Sequence, residues 1–250
     1  MYHQPLKNKL LIVEGNIGAG KSTILKILGG VLNVSIIPEP TEKWQNVKDG
    51  HNVLDLFYKD TKRWAYTFQS YAFLTRLNAL FEEQKKASSP EQIFILERSV
   101  YCDRFCFAKN CFEAGLMTAL EWHIYKEWFA WLVQNFAPRP HGFIYLRTDP
   151  TVAHARTSRR HRQEEDGIKL DYLQALHDKH EDWLVNKKEV GTLQDIPVLV
   201  LDCNPDFEFD HARREILIGQ ITAFISSLDE LEAGTVSMSN GDKSRFADPV

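Results

Sequence analysis

Glu14-Gly15-Asn16-Ile17-Gly18-Ala19-Gly20-Lys21-Ser22-Thr23 is the stretch that decides the fold. It fits G-x-x-x-x-G-K-[ST], with Gly15, Gly20, Lys21 and Ser22 in the fixed places. Before it, Lys9-Leu10-Leu11-Ile12-Val13 is short, apolar and partly β-branched, the pattern of a buried strand. After it, Ile24-Leu25-Lys26-Ile27-Leu28 reads as the start of a helix. Glycines at a strand-to-helix junction leave no Cβ between the backbone and an anion. Unpaired N–H groups at the helix start, and the helix dipole, favour phosphate there. Lys21 adds a positive charge toward the outer phosphates, and the Ser22 hydroxyl is placed to ligate Mg²⁺. The plain alternative is a tight glycine turn that binds nothing. The strand before and the helix after put nucleotide binding ahead of it.

Outward from this loop, apolar strand-like runs recur at 10–14, 34–38, 93–97, 142–146 and 198–201, with helical patterns between them. This alternation predicts an α/β fold: a five-stranded parallel sheet flanked by helices, the architecture of a P-loop kinase. Ligands of such sheets gather at the carboxyl ends of the strands. That rule points to Gly15 onward, Glu39, Glu97-Arg98, Arg147 and Asp202. Residues 52–86 and 118–137 read as helical and rich in aromatic side chains. They supply core, and part of the second surface is read as a dimer contact. Residues 147–165 carry Arg147, Arg156, Arg159, Arg160 and Arg162. Such a run is a solvated face or, opposite a phosphate loop, an Arg-rich lid. A helix follows over 168–185. Residues 1–227 read as one domain, and 228–250, polar and aperiodic, as a disordered tail.

The bulk properties narrow the class. With 250 residues, 44% of them hydrophobic, the chain can bury a sizeable core. A net charge of −4 gives no basic footprint for polymeric nucleic acid. No apolar stretch approaches membrane-spanning length, and residues 1–8 are too short for a targeting segment ahead of the first strand. A cytoplasmic protein is expected. Cys102, Cys106, Cys111 and Cys203 form no C-x-x-C pair and no zinc spacing, so they read as buried, reduced thiols.

Phosphoryl transfer depends on positioning and charge stabilisation, and on a group that accepts the proton of the attacking hydroxyl. Glu39, stiffened within Pro38-Glu39-Pro40, is a candidate general base, with a solvated loop carboxylate as the plain alternative. In Glu97-Arg98-Ser99 the carboxylate can support Mg²⁺ and the guanidinium can hold a phosphoryl group or the base; a structural ion pair is the alternative. Other phosphate-loop classes fit worse. The nearest string to a guanine-reading N-K-x-D is Asn186-Lys187-Lys188-Glu189, and L-S-G-G-Q does not occur.

Taken together, these strings resemble the deoxynucleoside kinases, the group of deoxycytidine, deoxyguanosine and mitochondrial-type thymidine kinases. The likeness is carried by residues 14–23, by Glu39-Pro40-Thr41-Glu42-Lys43-Trp44, Phe68-Gln69-Ser70-Tyr71 and Glu97-Arg98-Ser99-Val100-Tyr101. The arginines 156, 160 and 162, and Tyr172-Leu173 through His180-Glu181-Asp182-Trp183-Leu184, extend it across about residues 9–227. The resemblance implies ATP-dependent phosphorylation of a deoxynucleoside 5′-hydroxyl. It implies that Glu39 is the general base, that Arg98 steadies it and the reacting phosphate, and that Glu97 joins Ser22 at Mg²⁺. It implies that Tyr58 and Glu165 hold the sugar 3′-hydroxyl, that Gln69 meets the base edge, and that Trp44, Leu54, Phe57 and Phe107 wall the base pocket. Arg156, Arg160 and Arg162 would form the lid, Asp206-Phe207 would lie by the donor adenine, and the molecule would be a homodimer.

Near the base, the resemblance puts Arg76 and Asp103, with small Ala72 one turn earlier, where thymidine-accepting members carry small or apolar residues. An Arg–Asp pair presents both donors and an acceptor. Guanine, adenine and cytosine offer matching groups, whereas the thymine methyl gains nothing. A deoxycytidine/deoxyguanosine-type pocket is therefore expected, and Glu121-Trp122-His123-Ile124-Tyr125 and residues 196–202 look most like the deoxyguanosine members. The alternatives are a broad-range or thymidine-accepting kinase, a nucleoside monophosphate kinase and a non-catalytic nucleotide-binding scaffold.

Overall fold

The strands lie where the sequence is most apolar. In the computed structural model, which describes residues 8–87, 89–160 and 162–241 (side chains through 229), β1 is Lys9–Glu14, β2 Val34–Ile37, β3 Ile93–Glu97, β4 Gly142–Arg147 and β5 Val198–Asp202. All pair in parallel in the order β2-β3-β1-β4-β5. Central β1, β3 and β4 are buried along nearly their whole length, whereas edge strand β5 alternates toward solvent. Because β1 sits mid-sheet between β3 and β4, its carboxyl end opens into the crevice where such sheets bind ligands.

Helices α1 (Lys21–Val31), α2 (Thr41–Gln45), α3 (Val53–Lys59) and α4 (Thr61–Lys85) precede β3. The helical region expected over 52–86 is thus two helices, parted at Asp60, whose non-helical backbone (φ −140°, ψ 72°) ends α3 and whose carboxylate caps α4 through Arg63 N. After β3 the chain runs through α5 (Val100–Cys102), a π-helical turn (Asp103–Phe107) and α6 (Ala108–Glu113). α7 (Ala119–Asn135) starts at a capping box of Thr118 and Glu121. α8 (Pro150–Arg160) follows β4. α9 (Leu170–His180) ends in a second π-helical turn, Glu181–Val185. α10 spans His211–Gly241.

Two compact units result, residues 1–205 and 206–250. The first holds the sheet and the main core. In the second, Asp206 Oδ1 accepts from the Glu208 and Phe209 amides, and Asp210 accepts from Arg213 N at the start of α10. The helix continues to Gly241, well past position 228 where the sequence pattern suggests a tail; 242–250 lie outside the described residues, as do residues 1–7 of the segment read as too short for a leader.

The four thiols are free and buried. Cys102 and Cys106 do share a face, and α9 brings His180 to them, with all three side-chain donors within 4.8 Å of one another. The group is internally satisfied: Cys102 Sγ lies 3.6 Å from His180 Nε2, and Nδ1 donates to the Leu176 carbonyl at 2.7 Å. No helix among the described residues is long and apolar enough to cross a membrane.

Candidate active site

The phosphate loop is shaped by close approach. Gly18 has φ +77°, and a Cβ there would stand 2.3 Å from the Ala153 carbonyl oxygen of α8. Asn16 faces away from the crevice: its Nδ2 donates to the Leu173 carbonyl at 2.8 Å and its Oδ1 accepts from Ile17 N, tying the loop to α9. Gly20 precedes α1 in a left-handed conformation with no side-chain cap, so the first amides of α1 have no capping side chain. Lys21 Nζ meanwhile donates to the carbonyls of Gly15 (3.1 Å) and Asn16 (2.7 Å). Burial, and then the charge of Arg98, push its ammonium down to about 7. Ser22 Oγ donates to Glu97 Oε1 at 2.7 Å.

Glu14 and Ser99 lock the two strand ends that carry this chemistry. Ser99 Oγ donates to Glu14 Oε1 at 2.6 Å and accepts from the amides that open α5. Burial pushes the Glu14 carboxyl up to about 7 despite that bond. Between them, Arg98 takes a left-handed backbone (φ +60°) that few non-glycine residues adopt, with its amide bonded to Val13 O. The strained backbone aims its guanidinium across the crevice. Nη1 donates to Glu39 Oε1 at 3.0 Å, Nη2 to the Gly15 carbonyl at 3.3 Å, and the Phe107 ring lies beneath at 4.8 Å.

Glu39 is also gripped from α4. Arg76 donates through Nη2 to Glu39 Oε1 and through Nη1 to Asp103 Oδ1. Burial alone would raise the Glu39 pKa, but Arg98, Arg76 and Lys21 together hold it well below the usual carboxylate range. Asp103, on the π-helical turn, is raised by burial against the pull of Arg76, to about 6.

These groups open on one cavity of about 420 Å³. Gly18, Gly20, Lys21, Ser22, Thr23 and Glu97 form its phosphate end. Trp44, Leu54, Phe57, Ala72 and Phe107 wall the other end, with Arg76 and Asp103 at its polar edge. Trp44 is fixed by Nε1 donating to Thr75 Oγ1 at 2.8 Å, and Phe57 stacks on Phe68 at 4.7 Å. Gln69 lines the same wall, 1% exposed, and neither Nε2 nor Oε1 has a hydrogen-bond partner. Burial and the charge of Glu165 raise the Tyr58 phenol. Glu165 accepts from Arg160 and, at 3.0 Å, from Arg162 Nη1. The neighbouring Glu164 binds Gln45 and Asn52, so this segment is held to α2 and α3.

Not every expected residue meets the cavity. Gly15, Asn16 and Ala19 shape the loop from behind, and Ile17 reaches the cavity wall. Arg156, expected in the lid, spans the carbonyls of Cys203 (2.7 Å), Asn204 (3.0 Å) and Pro205 (3.2 Å) after β5 with its fork of donors. Successive carbonyls at a strand exit match a guanidinium as well as a phosphate does. Asp206 and Phe207 belong to the second unit. Conversely, the cavity includes residues that the pattern alone did not assign: Pro38, Thr41, Phe68 and Tyr172. The buried Tyr172 hydroxyl has no partner; the sequence signals it through its place after the arginine run and through the Tyr172-Leu173 string, neither of which says that it meets the cavity. Glu14 could have been found as a charge ending an otherwise apolar strand.

The family model for "Deoxynucleoside kinase" matches residues 11–226. Deoxycytidine kinase 2 of Gallus gallus is 42% identical over 239 residues, 86% of this chain and 89% of the relative. Deoxycytidine kinase of Homo sapiens is 38% identical over 88% of this chain and 92% of its own. The mitochondrial deoxyguanosine kinase of Xenopus laevis is 37% identical over 90% and 93%. With a family model and relatives that span nearly the whole length, over a crevice of this construction, the chain belongs to the deoxynucleoside kinase family.

Proposed function

We propose that this enzyme transfers the γ-phosphoryl group of ATP to the 5′-hydroxyl of a deoxynucleoside, with Glu39 as general base. The observation that carries the reading is one cavity joining three things: an uncapped phosphate loop, a carboxylate gripped by Arg98, and a buried amide, Gln69, without a partner. As the bond from the 5′-oxygen to the γ-phosphorus forms, the bond from that phosphorus to the β–γ bridging oxygen breaks. The hydroxyl proton passes to the Glu39 carboxylate. Arg98 keeps that carboxylate aimed. Lys21, whose ammonium lies on the Gly15 and Asn16 carbonyls, turns it to the phosphates. Arg160 and Arg162 close over them from the Glu165 side, while Glu165 and Tyr58 take the sugar 3′-hydroxyl.

Ser22 and Glu97 offer hard oxygen donors, 2.7 Å apart, a set that suits Mg²⁺. An Mg²⁺ held by these two residues would supply charge neutralisation for the phosphates. Gln69, Arg76 and Asp103 give the base end both donors and acceptors, which supports guanine, adenine or cytosine over thymine. A homodimer built on α4 and α7 is supported by the exposed aromatic side chains of α7. The free, buried thiols support a reducing, cytoplasmic setting.

The test is a phosphorylation assay with ATP and Mg²⁺ on deoxyguanosine, deoxyadenosine, deoxycytidine and thymidine at equal concentrations. Turnover of the first three with little on thymidine is expected. Glu39→Gln should lower kcat by about 10²-fold or more while sparing ATP binding by calorimetry. Retained turnover in that variant removes Glu39 from its role, and strong thymidine turnover removes the base preference.

A further inference from the structure

Arg76 touches two carboxylates with different tasks. One arm lies on Asp103, at the base end of the cavity, and the other on Glu39, at the reacting end. Both arms are buried, and the guanidinium rests over the Trp44 ring at 4.9 Å, so it is confined to this span. Glu39 therefore has two guanidinium partners, since Arg98 holds the same oxygen at 3.0 Å. At the base end, four atoms are left without partners: Asp103 Oδ2, Gln69 Nε2, Gln69 Oε1 and Arg76 Nε. A base that enters to satisfy them arrives within reach of Arg76.

We infer that Arg76 couples base recognition to the strength of the general base: a docked base draws one arm of Arg76 away from Glu39, leaving Glu39 with Arg98 alone. This rests on the reading of Glu39 as the general base and extends it. A carboxylate neutralised by two guanidiniums accepts a proton poorly, because its basicity lies far below the working pH. Giving up one of them restores basicity only when a nucleoside is present. Base identity is thereby read in kcat as well as in KM, and phosphoryl transfer to water or to a bare sugar is held down. The other ionisable groups around Glu39 (Lys21 of α1, Tyr58 of α3 and Asp103) keep their places in this scheme.

The test uses 1,2-dideoxyribose, which carries the 3′- and 5′-hydroxyls and no base, beside deoxyguanosine. In the wild type, removing the base should lower kcat at least tenfold. In Arg76→Gln, where Glu39 is released whether or not a base is bound, kcat on the bare sugar should rise at least threefold above wild type, while kcat/KM for deoxyguanosine falls. A residue that merely braced the pocket or bound the base would lower both. Should Arg76→Gln fold poorly with Asp103 left charged, Arg76→Gln/Asp103→Asn keeps an amide pair at the site and carries the same expectation. A rate on the bare sugar no higher than wild type, undetectable in both included, overturns the coupling, while wild-type turnover of deoxynucleosides keeps the kinase reading. Absence of wild-type turnover on every deoxynucleoside instead overturns the kinase reading and the coupling with it.

Discussion

At the scale of single residues, the site is a set of charges held away from their comfortable states. Lys21 is the clearest. Desolvation and Arg98 lower its pKa to about 7. An unfolded lysine titrates near about 10.4. From about 7 upward to that range, the unfolded chain carries a proton the folded chain lacks, so this group's contribution to stability rises with pH. It is lost as pH falls through about 7. Phosphate oxygens would reverse the shift. ATP binding at pH 8 should then take up close to one proton, because the free lysine is mostly neutral and the bound one charged. Calorimetry in buffers of different ionisation enthalpy reads that number, and a binding enthalpy independent of buffer at pH 8 would remove Lys21 from phosphate binding. The sequence exposes Lys21 through its motif, and Glu39 through its two flanking prolines. It does not expose the contact between Glu39 and Arg76, 37 positions apart, since nothing local records which carboxylate a long side chain will reach.

At the scale of elements, regular structure was legible and interruptions were not. Each strand lies within a residue of its apolar run, because a central parallel strand must be apolar on both faces and shows as a block. The two π-helical turns are invisible to periodicity, since each inserts one residue into an otherwise helical pattern. Yet one of them carries Asp103 into the cavity. The arginine run shows a subtler limit. Periodicity puts Arg156 and Arg160 one turn apart on α8, but their partners differ. Arg156 clasps the backbone after β5, whereas Arg160 joins Glu165 at the cavity. Arg156→Ala should therefore cost roughly 1–2 kcal/mol of stability from its partly solvated, charge-assisted bonds, a fall in Tm of about 2–6 °C, with KM for ATP little changed. Arg160→Ala should leave Tm within about 2 °C and weaken ATP turnover by tenfold or more. Differential scanning fluorimetry beside steady-state kinetics separates the two. The opposite assignment of effects would return Arg156 to the lid.

At the scale of the whole molecule, what the core leaves uncovered matters. α4 and α7 pack through Phe73 and Phe129, whose rings meet edge-on at 5.9 Å. The far side of α7 is another matter: Trp128 is 56% and Trp131 51% exposed, with Leu120 and, on α4, Leu74 also open to solvent. Tryptophan is enriched in subunit interfaces, where each ring removes a large apolar area from water, and an exposed group of this kind on a lone chain is unusual. A net charge of −4 opposes self-association only weakly. A homodimer through this face would cover these rings while leaving the cavity, at the carboxyl ends of the strands, free to bind. Light scattering should then give about twice the single-chain mass of 28.9 kDa at micromolar concentration. Trp128→Glu/Trp131→Glu places carboxylates where two copies would meet, so it should halve that mass without loss of helical circular dichroism. A wild type that scatters as a single chain at all concentrations, or a variant that remains double, would move the subunit contact elsewhere or remove it.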